Sequence, residues 1–197
     1  MANLERLEEL SKTISNPYES RLQCRWLAAT EYSRHLRELE DVEMPEVIAL
    51  FGQHVQERFL GVVMDKGEDA ELRMHILRLA IAAPLRSLCR LYRKIEEVAQ
   101  ATKLSFNVGW PDMAGSVRES FVFESLLETM ISVAEDPAER DLMRSHAVIG
   151  FNHAFYLAAK YAGEKVEREA FNARFLNIAM QSSNPDLRRH ALGIGYK

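Results

Sequence analysis

The stretch RSHAVIGFNHAFYLAAKYAG, residues 144–163, contains the side chains best suited to acid–base or metal chemistry. His146 and His153 are seven residues apart, which places them on one face of a helix, and Tyr156 follows them. The segment before it carries three glutamates, namely Glu119, Glu124 and Glu128. A carboxylate beside an imidazole can transfer a proton or hold a metal ion. These six residues are the candidates for a ligand pocket.

The short connection EDPAE predicts that helices 113–134 and 137–162 fold into an antiparallel hairpin. Each histidine is then expected beside a glutamate, with Glu124 or Glu128 near His146 and Glu119 near His153. Two interpretations stay open: a pocket for proton transfer, a small ligand or a metal, and buried pairs that only stabilise the core. Buried polar groups need hydrogen-bond partners in any protein. We therefore expect buried pairs, and assign no catalytic residue, metal ligand or cofactor.

A second candidate is a row of cations in the stretch PLRSLCRLYRKIEE, residues 84–97. The row recurs at helical spacing and consists of Arg86, Arg90, Arg93 and Lys94. Such a face could bind phosphates or an acidic partner. It could also be a solvated face that pairs with Glu96, Glu97 or the acidic run at 38–46. We interpret it as a candidate partner surface.

The segment FNVGWPD lies in the one long irregular part of the chain, residues 104–112. Phe106 and Trp110 could form an exposed aromatic anchor, since tryptophan is favoured at interface hot spots. They could equally fold back into the core. Both are kept as candidates for a partner surface.

Catalytic signatures of the common enzyme classes do not occur in the sequence. It contains no phosphate-binding GxxxxGK[ST], GxGxxG, HExxH or GxSxG motif, and no pair of Glu-x-x-His motifs for a di-iron site. Its two cysteines, Cys24 and Cys89, have no zinc-binding spacing around them. The sequence therefore favours a protein that is not an enzyme, without deciding the question.

Apolar residues recur every three or four positions along almost the whole chain, as in Ile48, Phe51, Val55, Phe59 and Val62. No stretch alternates as a strand would. We therefore predict an all-α fold, an irregular bundle of eight or nine helices in a single domain, 1–197, with a soft subdivision near 104–112. Pro84 is expected to kink or break its helix.

Three helices are expected to open on the same pattern, an Asn or Asp followed by proline, at Asn16, Asp136 and Asn184. Three openings also share an acid, a leucine, a basic residue and a histidine: DAELRMHILRLAI, ERDLMRSHAVIGF and NPDLRRHALGIGY. The last resembles the opening of a HEAT-like repeat. A HEAT-like helical-repeat arrangement is therefore the alternative fold. The histidines are 71 and 44 residues apart, which is no fixed period. The closing helix, from Asn184, is interpreted as a terminal lid.

The composition is that of a globular protein, with 47% hydrophobic and 27% charged residues and a net charge of −4. An acidic balance argues against a nucleic-acid partner, and no apolar run is long enough to span a membrane. The start of the chain does not look like a secretory signal. We expect a cytoplasmic, bacterial-type protein.

The leading hypothesis for its function is a non-enzymatic protein-interaction module, such as an adaptor, chaperone or immunity-type protein, with a protein partner and a possible homodimer. The alternative is a helical enzyme or a small-ligand or metal-binding protein that uses the Glu/His pocket.

Overall fold

The computed structural model describes residues 2–19, 22–38, 44–102, 123–159 and 169–193. Within these ranges the chain is helical and forms no strand, which confirms the all-α fold class. The eight helices are α1 (Ala2–Ser15), α2 (Leu22–Glu38), α3 (Met44–His54, continuing through Val55–Phe59 and Leu60–Met64), α4 (Ala70–His75, continuing through Ile76–Ala82 and Ala83–Thr102), α5 (Phe123–Glu135), α6 (Asp141–Leu157), α7 (Glu169–Gln181) and α8 (Pro185–Ala191). None of them combines the length and the hydropathy of a membrane-spanning helix.

The helices form hairpins and two layers. Each odd-numbered helix pairs with the even-numbered helix that follows it, the odd-numbered helices form one layer and the even-numbered helices form the other. In one layer α1 packs on α3, α3 on α5 and α5 on α7; in the other α2 packs on α4, α4 on α6 and α6 on α8. The described part of the chain is therefore a row of four helical hairpins. The row explains how residues far apart in sequence come to lie side by side on neighbouring even-numbered helices.

The predicted apolar stripe of α3 is confirmed. Its five residues, Ile48, Phe51, Val55, Phe59 and Val62, are all buried, with at most 8% of each exposed. Burying a side chain of this kind stabilises a fold by about 1.5–3 kcal/mol. Helical spacing and burial thus agree along this helix.

Two helices contain a π-helical segment, Val55–Phe59 in α3 and Ile76–Ala82 in α4. The second ends just before Pro84, which lies in the first turn of the following α-helical part, Ala83–Thr102. The helix does not break there. A π segment changes the hydrogen-bond partners of one turn, and proline lacks the donor for such a bond, so the wider turn accommodates Pro84.

The three Asn/Asp-Pro pairs form two kinds of local structure, a helix cap and a turn. Asn184 caps α8, since its side chain accepts hydrogen bonds from the backbone N–H groups of Asp186 and Leu187. Asn16 and Asp136 instead form turns before the helices begin, at α2 and α6, so the predicted helix starts there are wrong. Each of these side chains accepts from the backbone two residues later, as Asx turns do.

Buried arginines join the two helices of each of the first three hairpins. In each case the guanidinium Nε donates to a backbone carbonyl near the end of the preceding helix. The bonds are all 2.8 Å long and join Arg25 to Ile14, Arg73 to Val63 and Arg144 to Ala134. The last carbonyls of a helix have no partner within it, so the arginine satisfies a group that would otherwise be buried and unpaired.

Two of these arginines also bind a glutamate from the next hairpin. Glu68 accepts hydrogen bonds from both terminal nitrogens of Arg25, at 2.9 and 3.0 Å, and Glu139 accepts one from Arg73 at 2.7 Å. The carboxylate that Arg144 binds among the described residues is Asp141 of its own helix, at 3.3 Å. We call the series Arg25–Glu68 and Arg73–Glu139 the arginine ladder. It fixes the first hairpin to the second and the second to the third.

Candidate functional site

The structure brings parts of two predicted sites together on one surface, where α4 packs on α6. Arg93 of α4 lies over the ring of Tyr156 of α6, with 4.8 Å between the guanidinium carbon and the ring centroid. Nearby, the buried thiol of Cys89 donates to the backbone carbonyl of His153 at 3.4 Å. We call this surface the basic face; it comprises Arg86, Arg90, Arg93 and Lys94 of α4 with His153 and Tyr156 of α6.

The charge of the basic face acts on its histidine. Burial, together with the positive charges of Arg86, Arg93 and Arg90, lowers the pKa of His153 to about 4. A histidine with this pKa is neutral at pH 7 and offers no additional cation. The positive charge of the face therefore comes from the four side chains of α4.

Those four cations are not neutralised by the rest of the described chain. All four are exposed, and none forms an ion pair with a carboxylate in the described ranges. Glu97, one of the expected partners, is also exposed, while the side chain of Glu96 and residues 39–43 lie outside the description. The alternative of a face paired with Glu96, Glu97 or the acidic run at 38–46 stays a prediction.

The two described glutamates of the predicted pocket, Glu124 and Glu128, do not contact its histidines. Glu128 accepts a hydrogen bond from Arg174 of α7 at 2.8 Å, and the same arginine binds Glu135. Glu124 is exposed on α5. The expected contact of Glu124 or Glu128 with His146 is not formed: Glu128 pairs with Arg174, and Glu124 is exposed.

His146 is half-buried on α6. Its Nε2 atom is buried and has no hydrogen-bond partner among the described residues. Burial, together with Arg78 and His190, lowers its pKa to about 4. An unpaired nitrogen of this kind does not form the carboxylate–imidazole pair that proton transfer or metal binding would need. A pocket role for Glu124, Glu128, His146, His153 and Tyr156 stays a prediction.

Three predicted residues lie outside the described ranges: Glu119, Phe106 and Trp110. In the part of the chain that is described, no three side chains of the metal-binding types come together. Gly150, between the two histidines, lies where α6 meets α5; a Cβ there would lie 3.1 Å from the sulfur of Met130. This close approach accounts for the glycine.

A carboxylate–histidine pair does exist, at a place that sequence reasoning did not identify. Glu8 binds His54 Nε2 at 2.6 Å, and His54 Nδ1 lies 2.8 Å from the hydroxyl of Tyr32. Arg58 donates to both oxygens of Glu8, at 3.1 and 2.7 Å. His54 and Tyr32 are fully buried, so no substrate reaches them. The network holds α1, α2 and α3 together, and a polar Glu8 on an apolar helix face is its only sequence signal.

Comparison with known proteins finds no family model, curated protein or solved structure that matches this chain. The functional argument therefore depends on the geometry of the chain itself, and above all on the basic face.

Proposed function

We propose that this protein is a non-enzymatic helical interaction module whose basic face binds an acidic segment of a protein partner. The observation that carries the proposal is the set of four exposed cations on α4 that have no carboxylate partner in the described chain. The whole protein has more acidic than basic residues, 29 against 25, so this surface differs in sign from the average. Complementary charge steers association and selects partners.

The way in which the fold uses its carboxylates supports the same proposal. Glu68, Glu139 and Glu8 are engaged by arginines inside the fold. The four exposed cations of the basic face take part in no such pair with the described residues. Tyr156 adds a rigid aromatic surface beside Arg93, and aromatic and arginine side chains are the types that dominate interface energies.

The enzyme alternative receives less support, because it requires a carboxylate beside His146 or His153. The described glutamates of α5 do not provide one for His146, whose nearest charges are positive. The proposal includes self-association, which exposed apolar side chains such as Leu176 and Met180 favour. It also includes a cytoplasmic location and a bacterial origin, which are expectations from the sequence.

Fluorescence anisotropy with a fluorescein-labelled peptide of alternating Asp and Glu, about twelve residues long, tests the proposal. The variant R86Q/R93Q removes two cations of the basic face, and we expect it to weaken binding about fivefold or more, since each exposed pair contributes about 0.2–1 kcal/mol. The control variant K12Q/R188Q removes the same charge from α1 and α8 and should change binding by less than about twofold. An equal loss in both variants would show a non-specific charge effect.

The same titration with single-stranded DNA of about twelve nucleotides distinguishes the class of partner. The proposal expects weaker binding of the DNA than of the acidic peptide, because the face provides only four cations and one aromatic ring beside them. Tighter binding of the DNA would contradict a protein partner and favour a nucleic-acid one.

A further inference from the structure

A pocket of about 320 Å³ opens between α2, α3 and α4 and shares Arg90 with the basic face. Its floor is apolar and is made of buried side chains. The floor residues are Val47, Ile48 and Phe51 of α3 with Pro84 and Leu88 of α4. The volume lies at the lower end of the range of roughly 300–1,000 Å³ for small-molecule sites. A floor of this kind favours an apolar group of limited size.

Two arginines line the same pocket and are exposed to solvent, so they lie at its opening. Arg37, at the end of α2, uses its Nε to donate to the carbonyl of Ser33 at 3.1 Å, and its two terminal nitrogens bind no other described residue. Arg90 makes no hydrogen bond or ion pair with the described residues. No carboxylate is among the described residues that line the pocket. Within the described part of the chain, the opening is therefore positively charged and the interior apolar.

We propose that this pocket binds a small molecule with an aliphatic chain that ends in a carboxylate. The chain would fill the apolar floor, and a carboxylate would accept hydrogen bonds from Arg37 and Arg90, whose planar guanidinium groups suit a carboxylate. A neutral apolar molecule would leave both cations unpaired. A small anion without a chain would leave the apolar floor exposed to water.

A second hollow on the molecule provides the contrast. It is larger, about 690 Å³, and is lined by Leu22, Trp26 and Leu27 of α2 together with Asp69 and Glu71 at the start of α4. Its two carboxylates repel an anion. A carboxylate ligand therefore distinguishes the two hollows, although both expose apolar surface.

Isothermal titration calorimetry at pH 7 with butyrate, hexanoate and octanoate tests the proposal. We expect each added methylene to tighten binding about two- to fourfold, as burial of a methylene predicts. Octylammonium should not bind measurably, and 1-octanol should bind more weakly than octanoate. Affinity independent of chain length, or equal affinity for octanoate and octylammonium, would overturn the proposal, as would the absence of octanoate binding.

Variants locate the binding. Arg90→Gln should weaken octanoate binding about three- to tenfold, the loss of one charged hydrogen-bond donor at a partly exposed site. Ser87→Phe, which places a ring in the pocket, should abolish it; circular dichroism shows whether this variant folds. Leu27→Gln in the second hollow is the matched control and should leave binding unchanged. If Leu27→Gln lost binding and Arg90→Gln kept it, octanoate would occupy the second hollow. That result would overturn the proposal.

This inference goes beyond the proposed function and can fail independently of it. The variant R86Q/R93Q, which should weaken the acidic peptide, should retain octanoate binding within about twofold at physiological salt. Loss of octanoate binding in that variant would show that octanoate occupies the basic face and not the pocket.

Discussion

Glu8 is the residue with the most charged contacts in the described chain. It accepts from Arg58, His54 and Lys12. The hydrogen bonds from Arg58 are the largest influence and lower the pKa of Glu8 to about 2, against an opposing effect of burial. The folded state thus favours the ionised carboxylate more than the unfolded state does.

Lowering the pH should remove the contribution of Glu8 to the stability of the fold. Because its pKa is lower in the folded state, the contribution is complete above the unfolded value of about 4.5 and is lost as the pH falls towards about 2. In urea unfolding, the difference in free energy of unfolding between the wild type and Glu8→Gln should shrink across this window. Glu124→Gln, on the exposed face of α5, is the control. A difference that stays constant from pH 6 to pH 2.5 would contradict the assignment.

His146 should produce a second pH dependence, at higher pH. Its pKa of about 4 in the folded state lies below the ordinary histidine value of about 6.5, so the unfolded state takes up the proton first. Its destabilising effect should therefore grow as the pH falls from about 6.5 to about 4. His146→Leu removes the group, and thermal unfolding between pH 7 and pH 4 should show a smaller loss of stability than in the wild type. Parallel profiles would mean that His146 has a partner or is accessible to water.

The arginine ladder explains at the level of helices why the hairpins stay in one row. Arg73 and Glu139 are 5% and 6% exposed at their side chains, and both bridge elements that are distant in sequence. Although burial raises the pKa of Glu139, hydrogen bonds from Lys66 and Arg73 outweigh it and the pKa is lowered. The folded state therefore favours the ionised carboxylate, through Lys66 and Arg73 together.

Removing one partner of this pair should be costly. Arg73→Met leaves the Glu139 charge and the Val63 carbonyl without the arginine, and we expect it to lower the free energy of unfolding by about 3 kcal/mol. Arg140→Gln, an exposed arginine that pairs with Glu71, is the matched control and should cost less than about 1 kcal/mol. Chemical denaturation measures both. Similar costs in the two variants would mean that the ladder does not hold the hairpins together.

At the level of helices, the sequence was sufficient for the fold class and for stripes such as that of α3, because helical spacing of apolar residues is a local pattern. It was insufficient for the starts of α2 and α6, because an Asn-Pro or Asp-Pro pair suits a turn as well as a cap. The recurrent basic residue of the helix openings marked Arg73 and Arg144, but its role needed the carbonyl of another helix. That partner is set by tertiary packing and leaves no local signal.

The whole molecule combines the two predicted sites differently from the sequence interpretation. The row Arg86 to Lys94 was recognised because its spacing is helical, and Tyr156 because its helix is apolar. That α4 lies on α6, so that Arg93 covers Tyr156, depends on the order of the hairpins. Glu128 pairs with Arg174 of α7, and α7 was not part of the hairpin predicted from helices 113–134 and 137–162. The HEAT-like arrangement stays a prediction.

The central claim of this account is that the basic face, with its four exposed cations on α4, binds an acidic segment of a partner. Arginine side-chain NMR signals, the Nε–Hε groups, can be followed while the unlabelled acidic peptide is added. We expect the signals of Arg86, Arg90 and Arg93 to shift together, with those of Arg188 and Arg189 unchanged. Shifts that centre on Arg188 and Arg189, or none at the three arginines of α4, would contradict the proposal that the basic face binds an acidic partner.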